Sequence, residues 1–236
     1  MPRTKMTRHE LKEQDEITTS LQKFSEFVVL RKKEVTTGLT IAAALAIVIF
    51  GWGYYRSVRN TNAQIQLSQA INTFNDTVNI KSDKDRYEKA MAEAQKTYDQ
   101  YRSLPMGTIG LYYVGLCQEG LGDTAKAAQT LQQVAQTGDP SIKSVAQFAL
   151  GAIYKRHGEN QKAIETYKQL YDSGGYSKAA VAYELASVYE ANKQPDQAKD
   201  FYQKLVSEFP DSPFRQSADD ALKRLGAAPA PAQKPS

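Results

Sequence analysis

Few residues in this chain are placed to make or break bonds. Its single cysteine, Cys117, has apolar Ile153 and Val188 at the positions 36 and 71 residues further on, which marks the thiol as a small buried hydrophobe. The two histidines, His9 and His157, lie far apart, too few and too separated for a metal or a general base with its partner. Asp219 and Asp220 are adjacent on a predicted helix and so point away from each other. No phosphate loop, GxSxG elbow or metal-spaced Cys/His set occurs. The sequence therefore predicts no catalytic residues, no metal and no cofactor, and the chain is not read as an enzyme. The net charge is only +4, with basic and acidic residues interspersed, so the footprint of a nucleic-acid partner is lacking as well. What remains is recognition by shape and apolar contact.

The elements that would position such a surface repeat along the chain. Gly115 and Ala127, Gly151 and Ala163, and Ala186 and Ala198 are small-residue pairs with the same spacing of twelve, and Gly115, Gly151 and Ala186 stand 36 and then 35 residues apart. Between the members of each pair come turn residues, Gly122 and Gly158 among them. After the second member comes apolar bulk: Leu131 and Val134, Tyr167 and Leu170, Tyr202 and Leu205. Small residues allow two helices to approach and bulk fills the space beside them. One hairpin of this kind cannot bury its own apolar face, whereas a stack of them can. The fold expected is all-α. Hairpins are predicted over about 60–105 (divergent), 106–140, 141–175 and 176–210, then a capping helix over 212–225 with a charged outer face, and an Ala/Pro-rich tail over 227–236.

These residues resemble the tetratricopeptide repeat. The third copy carries Leu185-Ala186, Tyr189, Ala198, Tyr202, Leu205 and Pro210 in place, while the first has Gln118 where the repeat has a tyrosine. In that family the first helices of successive hairpins line a concave groove. Carried over by position, the resemblance places Tyr112, Phe148 and Tyr183 in equivalent groove sites, with Ile109, Leu116, Val145 and Ser187 beside them and Glu119, Lys155 and Glu190 further along. Two roles stay open for the three rings: anchors for an extended or helical partner segment, or core packing. The lysine–asparagine–arginine clamp that some relatives use for carboxylate tails is missing, since Leu116 and Ala152 stand at those sites.

Ahead of the repeats, residues 35–55 form a 21-residue run without a charge. As a helix it is about 31 Å long, matched to a hydrocarbon core of about 30 Å. The run is too long for a cleaved leader, so a single membrane span is expected. Arg31, Lys32 and Lys33 abut its start against Arg56 and Arg59 after its end, which by the positive-inside rule keeps residues 1–34 cytoplasmic and sends the repeats across. Trp52, Tyr54 and Tyr55 suit the far interface. Gly38, Ala42 and Ala46, four apart, form a small-residue face of the kind that pairs helices in lipid. The arm of residues 1–34 shows a capping box at Thr7–Glu10 and an apolar stripe at Ile17, Leu21, Phe24 and Val28. Whether the span continues without a break into the first repeat helix is left open.

The order of parts is similar to the YfgM-type ancillary subunits of the SecYEG translocon. That resemblance implies a non-catalytic, single-pass protein of a bacterial inner membrane with a periplasmic domain. Its implied partners are translocon subunits, exported chains or periplasmic chaperones, and neither a nucleic acid nor a small-molecule substrate. The alternatives are a cell-envelope scaffold for division or outer-membrane assembly, and an organelle import receptor facing the cytosol.

Overall fold

The structure is a computed structural model and describes Thr19 and residues 27–226. The capping box at Thr7–Glu10, the stripe residues Ile17, Leu21 and Phe24, and the tail 227–236 lie outside the described residues. The chain divides into two compact units, Met1–Arg59 and Asn60–Ser236. Among the described residues all regular secondary structure is helical.

In the first unit residues 27–30 are helical, and α1 (Lys32–Asn75) begins just after them. The uncharged run lies inside this helix, and none of its most apolar 18-residue window is buried. Leu39, Ile47 and Phe50 are 64%, 73% and 78% exposed. The hydroxyls along the run are nevertheless satisfied: Thr36 donates to the Lys32 carbonyl, Thr37 to Lys33 and Thr40 to Thr37, each at 2.8 Å. The helix is long and apolar enough to cross a membrane. α1 runs without interruption to Asn75 and so supplies the opening helix of the second unit, where it buries Ala63, Leu67 and Ala70.

The second unit continues with α2 (Asp83–Tyr101), α3 (Pro105–Gly120), α4 (Thr124–Thr137), α5 (Pro140–Arg156), α6 (Asn160–Ser173), α7 (Lys178–Ala191), α8 (Pro195–Glu208) and α9 (Arg215–Arg224). Helix starts are set locally. Proline opens α3, α5 and α8, where its missing N–H costs nothing. Ser82 caps α2, Asp139 caps α5 by accepting from Ser141 N and Ile142 N, and Ser177 caps α7. The turn inside each of the three repeat copies holds a left-handed residue. Gly122 (φ 84°) and Gly158 (φ 75°) provide it in the first two copies, while the third uses Lys193 at φ 57°.

From α2 onward each helix packs against the next, and across hairpins α3 touches α5 and α5 touches α7. The repeat glycines are needed where the helices meet. A Cβ on Gly115 would come within 2.9 Å of the Leu131 side chain, and one on Gly151 within 2.7 Å of the Tyr167 ring. Ala127, Leu131, Val134, Ala163, Tyr167, Leu170, Ala198, Tyr202 and Leu205, the second-helix positions of the repeat, are all at most 2% exposed. Cys117 is fully buried, like its repeat equivalents Ile153 and Val188, and burial pushes its thiol up to about 12.

A candidate protein-binding groove on the first helices

Helices α3, α5 and α7 lie side by side, and each carries one ring of the expected ladder near its middle. Tyr112, Phe148 and Tyr183 are half-buried, and so are Ile109, Leu116, Val145 and Ser187. The three rings do not touch one another. Tyr112 meets Tyr113 edge-on at 5.5 Å, Phe148 lies between Tyr167 at 5.6 Å and Tyr176 at 4.4 Å, and Tyr183 stacks on Phe214 at 5.2 Å. Tyr183 also meets Tyr202 at 6.0 Å, so each ring is engaged in packing while part of its surface is left toward solvent. Burial, with Tyr113 and Tyr176 nearby, pushes the Tyr112 hydroxyl up to about 12.

Two contributors, Tyr176 and Phe214, stand outside the repeat pattern. Both sit in connections, after Gly174-Gly175 and after Pro213, where no periodicity flags them. Tyr176 stacks on Phe148 nearly face to face, with 19° between the planes. The only advance signal was composition, an aromatic residue inside a turn otherwise made of glycine and serine.

Polar contacts join the first helices toward their C-terminal ends. Arg156 Nη1 donates to Glu119 Oε1 at 2.6 Å, and His157 Nε2 stands 3.1 Å from the same oxygen and from Thr124 Oγ1. Lys155 Nζ donates to Glu184 Oε2 at 2.8 Å and to Ser187 Oγ at 2.9 Å. Glu190 accepts from the Tyr202 hydroxyl at 3.2 Å and from Arg224 Nη2 at 3.0 Å, which docks the capping helix α9. Glu119 and Glu190 sit at helix C-termini, where a carboxylate opposes the helix dipole, so each is held against a guanidinium. Ser187, predicted to line the groove, is thus committed to Lys155. Gln118, in the tyrosine position of the first copy, accepts from Thr130 Oγ1 at 2.8 Å and keeps that hairpin closed by a hydrogen bond.

In the first unit Gly38 and Ala42 are exposed and Ala46 is half-buried, and a Cβ on Gly38 would meet nothing within 4 Å. Among the described residues no group of three or more His, Cys, Asp or Glu is placed to hold a metal ion.

Stacked helical hairpins, small residues at the crossings, and first helices in contact from one hairpin to the next define a solenoid of the tetratricopeptide kind, a fold typical of protein-interaction scaffolds. The chain belongs to the tetratricopeptide repeat-like domain family, whose sequence profile matches residues 32–227. Its fold is similar to that of the nearly identical TPR-like repeats from Podosopora anserina (TM-score 0.56, 19% identity, covering 70% of this chain and 85% of that one). It is also similar to a tetratricopeptide repeat protein from Parabacteroides merdae (TM-score 0.52, 16% identity, covering 68% and 60%) and to MamA from Desulfovibrio magneticus (TM-score 0.50, 18% identity, covering 67% and 85%). Among curated proteins, none matches the chain.

Proposed function

We propose that this protein is a non-catalytic scaffold, held in a membrane by residues 35–55, that binds segments of other proteins in the groove formed by α3, α5 and α7. The observation that carries the anchor is a long apolar helix that none of the described residues covers, which in water would leave Leu39, Ile47 and Phe50 bare. The groove rests on Tyr112, Phe148 and Tyr183, which recur at equivalent positions and are only partly buried. Aromatic anchors contribute large contact area at low entropic cost and dominate most interfaces.

The basic cluster ahead of the span supports a cytoplasmic N-terminus and an extracytoplasmic solenoid. With that orientation the architecture fits the YfgM-type ancillary translocon subunits. The partners are then translocon subunits, exported chains or periplasmic chaperones, and the compartment is the bacterial inner membrane. Gly38, Ala42 and Ala46 are the span's face for pairing with another membrane helix. The experiment has two arms. Protease added to spheroplasts is expected to degrade the solenoid and spare the N-terminus. A photo-crosslinker at Leu116 or Val145 is expected to capture translocon subunits or nascent exported chains, and one at Gln161, on α6, is not. Adducts with division or outer-membrane assembly proteins would replace the translocon reading with that of an envelope scaffold, and protection of the solenoid would reverse the topology.

A further inference from the structure

We infer that Tyr176 occupies, within this chain, the place that an aromatic side chain of the bound segment takes in the groove. This rests on the groove reading above and names the chemistry of what binds there. Three observations converge on the Phe148 ring. Tyr176 covers one side of it, 4.4 Å away and nearly parallel, on a connection whose two preceding residues are Gly174 at φ 68° and Gly175. The repeat pattern does not supply that ring, since the equivalent positions of the neighbouring copies are Pro140 and Asp211, and the ring stacked on Tyr183 in the next copy, Phe214, comes from a different connection position after Pro213. The other neighbour of Phe148 is Tyr167, whose ring is fully buried and whose hydroxyl has no hydrogen-bond partner.

Comparison between copies explains that orphan donor. The equivalent hydroxyl of Tyr202 donates to Glu190. The residue equivalent to Glu190 in the middle copy is Lys155, a donor itself and already bound to Glu184 and Ser187. Among the described residues only the middle hairpin combines a stacked ring supplied by the Gly174-Gly175 connection with a buried donor that lacks an acceptor. A buried polar group in this condition calls for a reason. The occupant that satisfies both is an extended polypeptide segment with an aromatic residue. Its ring replaces Tyr176 on Phe148, and one of its backbone carbonyls accepts from the Tyr167 hydroxyl once Tyr176 has swung out.

The test uses the full chain in detergent micelles and two peptides, acetyl-Ser-Ala-Tyr-Ala-Ser-amide and its ringless counterpart acetyl-Ser-Ala-Ala-Ala-Ser-amide, with p-cresol as a bare ring. Tyr176→Ala is expected to keep its helicity and to bind the tyrosine peptide about tenfold more tightly than the unmodified chain, because the competing ring is gone. It should also bind p-cresol, with chemical-shift changes around Phe148, and should ignore the ringless peptide. Adding Tyr167→Phe should weaken the tyrosine peptide about 2- to 10-fold, the worth of one hydrogen bond, and leave p-cresol unchanged, since p-cresol brings no carbonyl. Equal peptide affinity with and without Tyr176, or loss of helicity in Tyr176→Ala, would show the ring to be ordinary packing and overturn the inference. The photo-crosslinking arm keeps the two readings apart. Adducts at Leu116 with no effect of Tyr176→Ala sink this inference alone, whereas peptide binding without adducts sinks the assignment of partners and not the ring site.

Discussion

Replacing Tyr167 by phenylalanine is expected to stabilise the protein, which is unusual for a residue with no exposed surface at the centre of a hairpin. The ring fills the space beside Gly151 and Phe148, and phenylalanine keeps all of that packing. What is lost is a hydroxyl with no partner, and a buried donor left unpaired costs about 1–3 kcal/mol. Part of that is offset by the small void where the oxygen stood, so a net gain of about 1 kcal/mol follows. For a domain of this size that is a rise in Tm of about 2–4 °C. Tyr202→Phe is the control, because it removes the same atom from the equivalent ring, where the hydroxyl donates to Glu190. There the Glu190 carboxylate keeps only Arg224, and a loss of about 0.5–1.5 kcal/mol is expected. Thermal unfolding of the full chain in micelles, followed by circular dichroism, reads both. Should Tyr167→Phe lower Tm as far as Tyr202→Phe does, the Tyr167 hydroxyl has a partner and the reasoning from the orphan donor fails.

Lys193→Gly is expected to raise stability by about 1 kcal/mol, because it brings the third hairpin turn into line with Gly122 and Gly158 and relieves a left-handed lysine; an unchanged or lower Tm would contradict the strain. Cys117 should resist thiol reagents in the native state and react fully on denaturation, since the thiol is buried and held protonated up to about 12. Both Cys117 and Tyr112 bind their protons more tightly folded than unfolded. Their contribution is therefore intact below about pH 9, the ordinary thiol value, and is lost as pH rises through 12; alkaline unfolding that sets in within that window is the expected titration. Ala44→Arg, costing about 2.5–3.5 kcal/mol at mid-membrane, should move the protein out of the membrane fraction, and unchanged fractionation would show that the span is not what holds it.

The sequence made the repeat legible because its constraints are steric. Gly115 and Gly151 cannot carry a side chain where Leu131 and Tyr167 press on them, so the spacing of small residues recorded the crossings directly. The uncharged run was legible as a single long apolar helix, and it lies inside α1 with none of its most apolar window buried. The candidate groove was only half legible. Its three rings recur at the repeat period, but their packing partners, Tyr176 and Phe214, come from turns that obey no period. The lysine at the Gly122 and Gly158 position was not foreseen either. A single left-handed lysine costs no more than the surrounding hairpin can bear, so nothing in residue type announced it.

The polar column explains why the ring site falls on the middle copy. At one repeat position the chain carries Glu119, Lys155 and Glu190 in turn, and each is bound across to a neighbouring hairpin or the cap: Glu119 to Arg156, Lys155 to Glu184, Glu190 to Arg224. Reversing the sign at the middle member lets it meet an acidic residue on the next helix. The same reversal removes the acceptor that a tyrosine at position 167 would otherwise find, as Tyr202 finds Glu190. Solenoid stability is close to a sum of such nearest-neighbour contacts, so a cost carried by one interface is tolerated if the others hold. The orphan donor is then the consequence of tying three hairpins together by alternating charge, and it lies beside Phe148, the ladder ring that Tyr176 covers. Lys155→Glu with Glu184→Lys, which keeps the bridge but restores an acceptor over Tyr167, should therefore stabilise the solenoid and abolish the peptide-affinity difference between tyrosine and phenylalanine at position 167.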